Sequence, residues 1–336
     1  MTHPRLSLAL AGADALPHAG RILVFGPRGV ADLTELPKDR SLLVQGFRPA
    51  HDAFDRQGWQ VVPSFEATEG GYAAGIVFLP RARAAARAAV AEIAARVAPG
   101  GGIWVDGQKT DGVDTMVRDI RSRVPISLPI AKAHGKIFRF DAPGDGVFHD
   151  WRAVGITPAP GFVSVPGVFS AEKPDHGSRL LAEAIPPVLG GRVADLGAGW
   201  GWLSAQLSTR QEITELHLIE ADAAALGCAR RNIADQRAQF HWADVTNFRP
   251  EAPFDAVVMN PPFHTGRAAE PELGAAFIMA AAKMLTPQGT LYMVANRHLP
   301  YEAVLKRHFR ETAEIGGDSG FKVLRATRPA AARPHR

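Results

Sequence analysis

The sequence predicts an α/β protein of two tandem domains, each a parallel sheet covered by helices, with the second copy intact and the first degenerate. Three observations predict it. Short apolar runs alternate with stretches of helical length through both halves, the rhythm of a parallel sheet buried on both faces. In the second half, successive apolar runs stop at Asp195, Glu220, Asp244 and Asn260, where the carboxyl ends of strands would lie. The features of the first half recur in the second at an offset of about 170 to 190 residues, as a duplication with later insertions would give.

The second half carries the clearer pattern. A short apolar strand from residue 191 ends in Asp195, and Leu196-Gly197-Ala198-Gly199-Trp200-Gly201 then leads into an amphipathic helix over 202–207. A strand at 216–219 ends in Glu220, and a helix is expected over 222–235. A strand at 239–243 ends in Asp244, and the run 254–259 stops at Asn260. Residues 271–285 read as a helix with Pro287-Gln288-Gly289 as its stop. A strand at 290–295, a helix at 301–308 and a closing strand at 321–326 complete the domain.

The first half repeats this order. Residues 20–26 parallel 191–197, and 72–80 parallel 254–261. An Ala-rich helix over 81–97, stopped by Pro99-Gly100-Gly101, parallels the helix over 271–285. Residues 103–105 then match 291–293. The copies differ where a ligand would sit. Pro27 and Arg28 put bulk where the second copy has small residues, and Phe78-Leu79-Pro80 replaces Met259-Asn260-Pro261-Pro262. The first copy reads as a domain that kept its core and lost its site. The expected boundaries are a degenerate domain over 1–145, a Gly- and Pro-rich linker and lead-in over 146–170, an intact domain over 171–328, and a flexible basic tail over 329–336.

Composition narrows the class. With 46% hydrophobic and 21% charged residues, the 336-residue chain is globular rather than disordered. A net charge of +4 permits nucleic-acid binding without requiring it. The single cysteine, Cys228, leaves no disulfide framework or thiolate metal site, and the histidines show no metal-ligand spacing. No metal is expected. There is no leader-like N-terminus and no apolar run near the ~20 residues of a membrane span. A cytoplasmic monomer without membrane contact is the expectation.

The glycine loop lets the backbone approach a nucleotide-like ligand closely, because Gly197, Gly199 and Gly201 carry no side chain. A strand ending in Asp195 before Gly-x-Gly-x-Gly resembles the S-adenosylmethionine (AdoMet) fingerprint of Rossmann-like methyltransferases. Ligands of open α/β sheets bind at the carboxyl ends of the strands. There Glu220 could accept the ribose hydroxyls, and Asp244 the adenine amine. Asn260-Pro261-Pro262-Phe263 ends the fourth strand. The Asn260 side-chain oxygen and the Pro261 carbonyl could take the two N–H groups of a planar amine. The two prolines stiffen the loop, and Phe263 offers a face for stacking. No strong base is needed, because a sulfonium is a good electrophile and leaving group. Rate would come from orientation and proximity.

The chain resembles the ribosomal RNA small subunit methyltransferase C family, which makes N2-methylguanine in 16S rRNA. The matching residues run from Pro166-Gly167-Val168-Phe169-Ser170 and Asp175-His176-Gly177-Ser178 to Asn260-Pro261-Pro262-Phe263-His264 with Gly266. They continue through Val294-Ala295-Asn296, Leu299-Pro300-Tyr301, Phe321-Lys322-Val323 and Arg325-Ala326. The resemblance implies two class I methyltransferase domains and AdoMet as cofactor. It places Gly177 and Ser178, with Asp195, the loop glycines, Glu220, Asp244 and Asn260, in the cofactor pocket. Asn260, Pro261 and Phe263 are then the catalytic residues. The N-terminal domain would help fold or recognise RNA. The partner would be ribosomal RNA or the 30S subunit, its guanine extruded from the helix. Pro262, Phe263, His264, Arg267 and Arg297 are the candidate substrate contacts, with His298 beside them and Arg328, Arg333 and Arg336 in a basic arm for phosphates. Two other readings compete. One keeps the chemistry on 23S rRNA guanine, DNA adenine or protein glutamine. The other is a non-catalytic RNA-binding or assembly factor.

Overall fold

The computed structural model describes residues 4–12, 15–28, 33, 35–144, 146–262 and 271–330. Phe263, His264, Gly266, Arg267, Arg333 and Arg336 lie outside the described residues. The chain forms two compact units: Met1–Gly155 with Val165–Gly167, and Ile156–Ser164 with Val168–Arg336.

The first unit contains helices α1 (Pro4–Ala9), α2 (Arg48–Arg56), α3 (Arg83–Arg96) and α4 (Val113–Arg121). Its strands are β1 (Ile22–Phe25), β2 (Ser41–Val44), β3 (Gln60–Val62), β4 (Tyr72–Phe78), β5 (Val97–Gln108), β6 (Ile130–Lys132) and β7 (Gly135–Asp141). They form one sheet in the order β3-β2-β1-β4-β5-β7-β6. β7 runs antiparallel to β5 and to β6, and the other pairs are parallel.

The second unit contains α5 (His176–Ala184), α6 (Trp202–Ser208), α7 (Ala223–Asn232), α8 (Pro271–Met284) and α9 (Tyr301–His308). Its strands are β8 (Gly191–Leu196), β9 (Ile213–Glu220), β10 (Ala238–Trp242), β11 (Phe254–Met259), β12 (Leu285–Asn296), β13 (Phe309–Gly317) and β14 (Phe321–Pro329). Their order, β10-β9-β8-β11-β12-β14-β13, repeats that of the first sheet strand for strand. The repeated rhythm of the sequence is thus a repeated topology. The fold is two tandem α/β domains.

Why the strands read as unbroken apolar runs is visible in the second sheet. Ala194, Leu196, Val257, Met259, Leu291 and Met293 pack on one face with residues of α8 and α9. Val193, Leu216, Leu218, Ala256, Val258 and Val294 pack on the other with residues of α5, α6 and α7. Alternate side chains point to opposite faces, so a sheet covered on both sides needs apolar residues at every position.

Several boundaries differ from the sequence expectation. α7 spans Ala223–Asn232, and Asp222 caps it by accepting from the backbone of Ala224 and Ala225. Pro287-Gln288-Gly289 does not lie between helix and strand. It falls inside β12, where the pairing to β11 jumps from Phe254↔Leu285 to Ala256↔Thr290. A bulge there accommodates a proline that has no N–H to donate. The exposed edge strand β13 had no counterpart in the sequence reading. It carries Arg310, Glu311 and Glu314, charges that guard an edge and erase any apolar alternation. Among the described residues no helix is long and apolar enough to cross a membrane. No group of His, Cys, Asp and Glu among them could hold a metal ion.

In the first unit charged side chains stand where a ligand would bind. Beyond β4 and β5, a hollow is lined by Arg5, Arg28, Leu79, Asp106, Gln108 and Asp111. Buried Arg5 donates from Nε to Asp106 Oδ1 at 2.6 Å. Arg28 reaches Asp111 Oδ2 at 2.8 Å and donates to the Leu79 carbonyl at 2.5 Å. Arg28, already conspicuous in the sequence, spans what is open ground in the second unit.

Candidate active site

Register brings the second unit's strand ends to one level. Leu196 pairs with Ile219 of β9 and with Met259 of β11. The residues that follow, Gly197, Glu220 and Asn260, therefore emerge side by side at the carboxyl edge of the sheet. A cavity opens there. Asp195, Gly197, Gly199 and Asn260 line it from the strand ends and loop. Phe169, Ser170, Asp175 and Ser178 line it from the segment leading into α5, and Trp200 and Trp202 from the loop and α6.

The glycine loop is bent in a way that only glycine accepts without strain. Gly199 sits at φ +56°, which turns its N–H onto Glu220 Oε2 at 2.8 Å. Gly201, at φ +87°, begins α6 so close to α7 that a Cβ would lie 3.0 Å from Ile233 Cδ1 and 3.1 Å from Ala229 Cβ. The other oxygen of Glu220 accepts from Asp222 N at 2.8 Å. Glu220 thus ties the loop to the start of α7. Each of its oxygens keeps a second lone pair for a ligand.

The acids at this edge are held toward their neutral forms. Asp195 is 1% exposed, and burial pushes its carboxyl up to about 7. The hydrogen bond from Ser204 Oγ, at 2.7 Å, opposes the rise, and the nearby Glu220 charge adds to it. Burial likewise raises Glu220 and Asp222 against their backbone hydrogen bonds. A site that disfavours its own negative charges is suited to a cationic ligand, which would restore them.

This has a consequence for stability. In the unfolded chain Asp195 titrates near the ordinary carboxyl value; in the fold it holds its proton up to about 7. Between those values the folded state binds more protons, so this contribution is present at low pH and lost as pH rises through about 7. Asp195→Asn removes the titration. The melting temperature of the variant should gain on that of the unliganded wild type from pH 5 to pH 8. A gap that stays constant over that range would refute the assignment.

Asn260 has the most informative geometry. Its Nδ2 donates to Asp175 Oδ2 at 2.8 Å and to Ser178 Oγ at 2.9 Å. Both N–H groups are thereby used. Its Oδ1 is buried and has no hydrogen-bond partner among the described residues. An unpaired buried acceptor is costly, on the order of 1–3 kcal/mol. Asn260 is among the residues that line the cavity, and a ligand N–H bound there could satisfy this oxygen.

Not every expected residue lines this cavity. Buried Gly177 is the second residue of α5, next to Ser178. Asp244 spends its carboxylate on Thr246, through N and Oγ1, and on Asn247 Nδ2. Arg297 is bound in the β13–β14 turn. It donates to the carbonyls of Asp318 and Phe321 and pairs with Glu314 at 3.0 Å. Pro261 is buried and Pro262 exposed at the end of β11. The matched residue Lys322 is buried, donating from Nζ to the Leu299 carbonyl and to Glu302, and anchors the chain after β12. The sequence reading gave no site role to Phe169, Ser170, Asp175, Trp200 or Trp202. The signal for Asp175 was its place before Gly177-Ser178, which reads equally well as a helix cap.

Known proteins place the chain. Residues 160–325 match the methyltransferase small domain. The ribosomal RNA small subunit methyltransferase C of Pseudomonas paraeruginosa is 31% identical over 270 residues, 77% of this chain and 80% of that protein. A large subunit methyltransferase G of Shewanella amazonensis is 35% identical over 167 residues, 48% of this chain and 44% of that protein. A T. thermophilus 16S rRNA guanine-N2 methyltransferase, solved with AdoMet and guanosine, is 27% identical with a TM-score of 0.82. That likeness covers 97% of this chain and 92% of the other. With both units matched, and the cavity built on the segment these relatives share, the chain belongs to the ribosomal RNA small subunit methyltransferase C family.

Proposed function

We propose that this protein transfers the methyl group of AdoMet to the exocyclic N2 amine of a guanine in 16S rRNA. The observation that carries the reading is the buried Oδ1 of the cavity-lining Asn260, which has no partner among the described residues. The relatives' small-subunit activity and the guanosine bound by the T. thermophilus protein support the choice of target.

The residues fit the methyl donor. The left-handed glycines open the loop backbone, Glu220 keeps free lone pairs, and the protonation-prone acids suit a cationic molecule. In this reading Asp195, Gly197, Gly199, Gly201 and Glu220 hold AdoMet, with Gly177 and Ser178 beside them at the start of α5. Bound AdoMet supplies an electrophilic methyl on a sulfonium. Asn260 Oδ1 and the Pro261 carbonyl accept the two N–H groups of the guanine amine and aim its nitrogen at that methyl. As the nitrogen–carbon bond forms, the methyl's bond to sulfur breaks to leave a neutral thioether, and the surplus proton on nitrogen passes to water. The acceptors stabilise the growing positive charge on nitrogen without taking the proton. Phe263 stacks the extruded base, and Pro262, His264 and Arg267 flank it.

The test is direct. The purified protein is incubated with AdoMet and 30S subunits lacking the modification, and the digested rRNA is analysed by mass spectrometry. N2-methylguanosine is expected. Its absence, with protein that binds AdoMet by calorimetry, would overturn the proposal. The likeness to a large subunit methyltransferase gives a second reading, confined to about half the chain. The same assay on 50S subunits separates the two.

A further inference from the structure

We infer that Asp175 is a positioning residue for methyl transfer, fixing the Asn260 amide in the orientation that presents oxygen to the target amine. This rests on the function proposed above.

An asparagine amide is nearly symmetric in shape, so packing does not decide which end faces a ligand. Its hydrogen-bond partners do. Two residues hold the Asn260 amide. Ser178 Oγ, at 2.9 Å, is a hydroxyl that can accept or donate and would serve either orientation. Asp175 Oδ2, at 2.8 Å, belongs to a carboxylate, which only accepts. The carboxylate therefore settles the matter. With the amide reversed, two oxygens would oppose each other across that distance, and the cavity would meet an N–H donor. A guanine amine needs acceptors, so the reversed site would repel the group it must hold.

The same Oδ2 accepts from Ser178 N at 3.0 Å, capping α5. Capping alone would explain an acidic residue at this position. It does not explain the bond to Asn260, 85 residues away in the sequence and on another element. One oxygen thus joins the start of α5 to the end of β11, so that the helix cap and the amide lock are a single structure.

The experiment separates these roles. Serine caps a helix about as well as aspartate, so Asp175→Ser should lower the melting temperature no more than Asn260→Ala, which loses the same bond. A serine side chain at position 175 is too short to reach Nδ2. At saturating AdoMet and RNA, kcat should fall on the order of 10²-fold, as for a misplaced reacting group. The Kd for AdoMet should stay within about threefold. In an Asn260→Ala background the same substitution should lower kcat no further, because Asp175 acts only through that amide. Asp175→Asn keeps both reach and cap but can itself flip, and should lose about tenfold. Wild-type kcat in Asp175→Ser or Asp175→Asn would overturn the inference. So would equal losses in both backgrounds, or a loss of AdoMet affinity as large as the loss of kcat. If wild-type protein makes no N2-methylguanosine, the functional reading itself has failed, which is a separate outcome.

Discussion

Asn260→Ala should lower kcat by about 10³-fold, the upper range for removing one preorganised polar group at a reacting centre. The structure gives the reason in three steps. Asn260 follows Met259, whose strand is buried on both sides, so the residue cannot drift. Its two N–H groups are taken by Asp175 and Ser178, so the amide cannot rotate freely. Its Oδ1 is then left as a fixed acceptor with no other partner among the described residues. Alanine removes that acceptor and leaves only the Pro261 carbonyl to hold an amine that has two N–H groups. Affinity for AdoMet should change much less, by about fivefold at most, because the groups proposed to grip it lie on the glycine loop and Glu220. Fold stability should fall by about 1–2 kcal/mol, since Asp175 loses one donor but keeps Ser178 N. Single-turnover rates at saturating AdoMet, with calorimetric Kd beside them, check the split. Equal losses in rate and affinity would mean that Asn260 holds the donor rather than the acceptor.

Much of this site was legible because strand ends are marked in the sequence. An apolar run on a sheet buried on both faces has no polar residue to spare. Glu220 and Asn260 therefore stand out at once as the first polar groups beyond it. The identical order of the two sheets was legible for the same reason, since each buried strand and each Ala-rich helix leaves its own trace. What sequence could not show is where a polar group spends its hydrogen bonds. Asp244 lies two residues beyond the end of β10, and Thr246 and Asn247 take most of its carboxylate. Arg297 stands near the site in sequence, but Glu314 and the Asp318 and Phe321 carbonyls, from a strand pair never foreseen as a pair, hold its guanidinium. Asp175 failed in the opposite sense. Its cap role is written in local sequence, whereas its bond to Asn260 spans 85 residues and exists only in three dimensions.

Glu220→Ala should produce the reverse of the Asn260 pattern, weakening AdoMet binding by about 10²-fold or more while kcat at saturation changes little. Hydrogen bonds to a charged acceptor contribute about 1.5–3 kcal/mol each, and two protein donors depend on this carboxylate. Without it the N–H groups of Gly199 and Asp222 lose their acceptor, and Gly199 is freed from the left-handed bend that opens the loop. A ribose would lose its acceptors at the same time. Helix α7 should survive, because Asp222 caps it with its own side chain. Glu220→Gln retains one acceptor and the shape of the side chain, so its loss should be smaller, about tenfold. pH distinguishes the two states of the wild-type residue. Burial raises the Glu220 carboxyl above its ordinary value, so the form able to hold a cation is lost as pH falls toward that raised value. Asp195, up at about 7, acts in the same direction. Wild-type Kd for AdoMet should therefore weaken from pH 8 to pH 6. As pH falls on through the raised Glu220 value the wild-type Kd should weaken further, a loss missing in Glu220→Gln, where Asp195 and Asp222 still titrate. Calorimetry from pH 8 downward measures both slopes. If they are equal, Glu220 contributes no charge to holding the donor, and its place in the site is that of a loop tether alone.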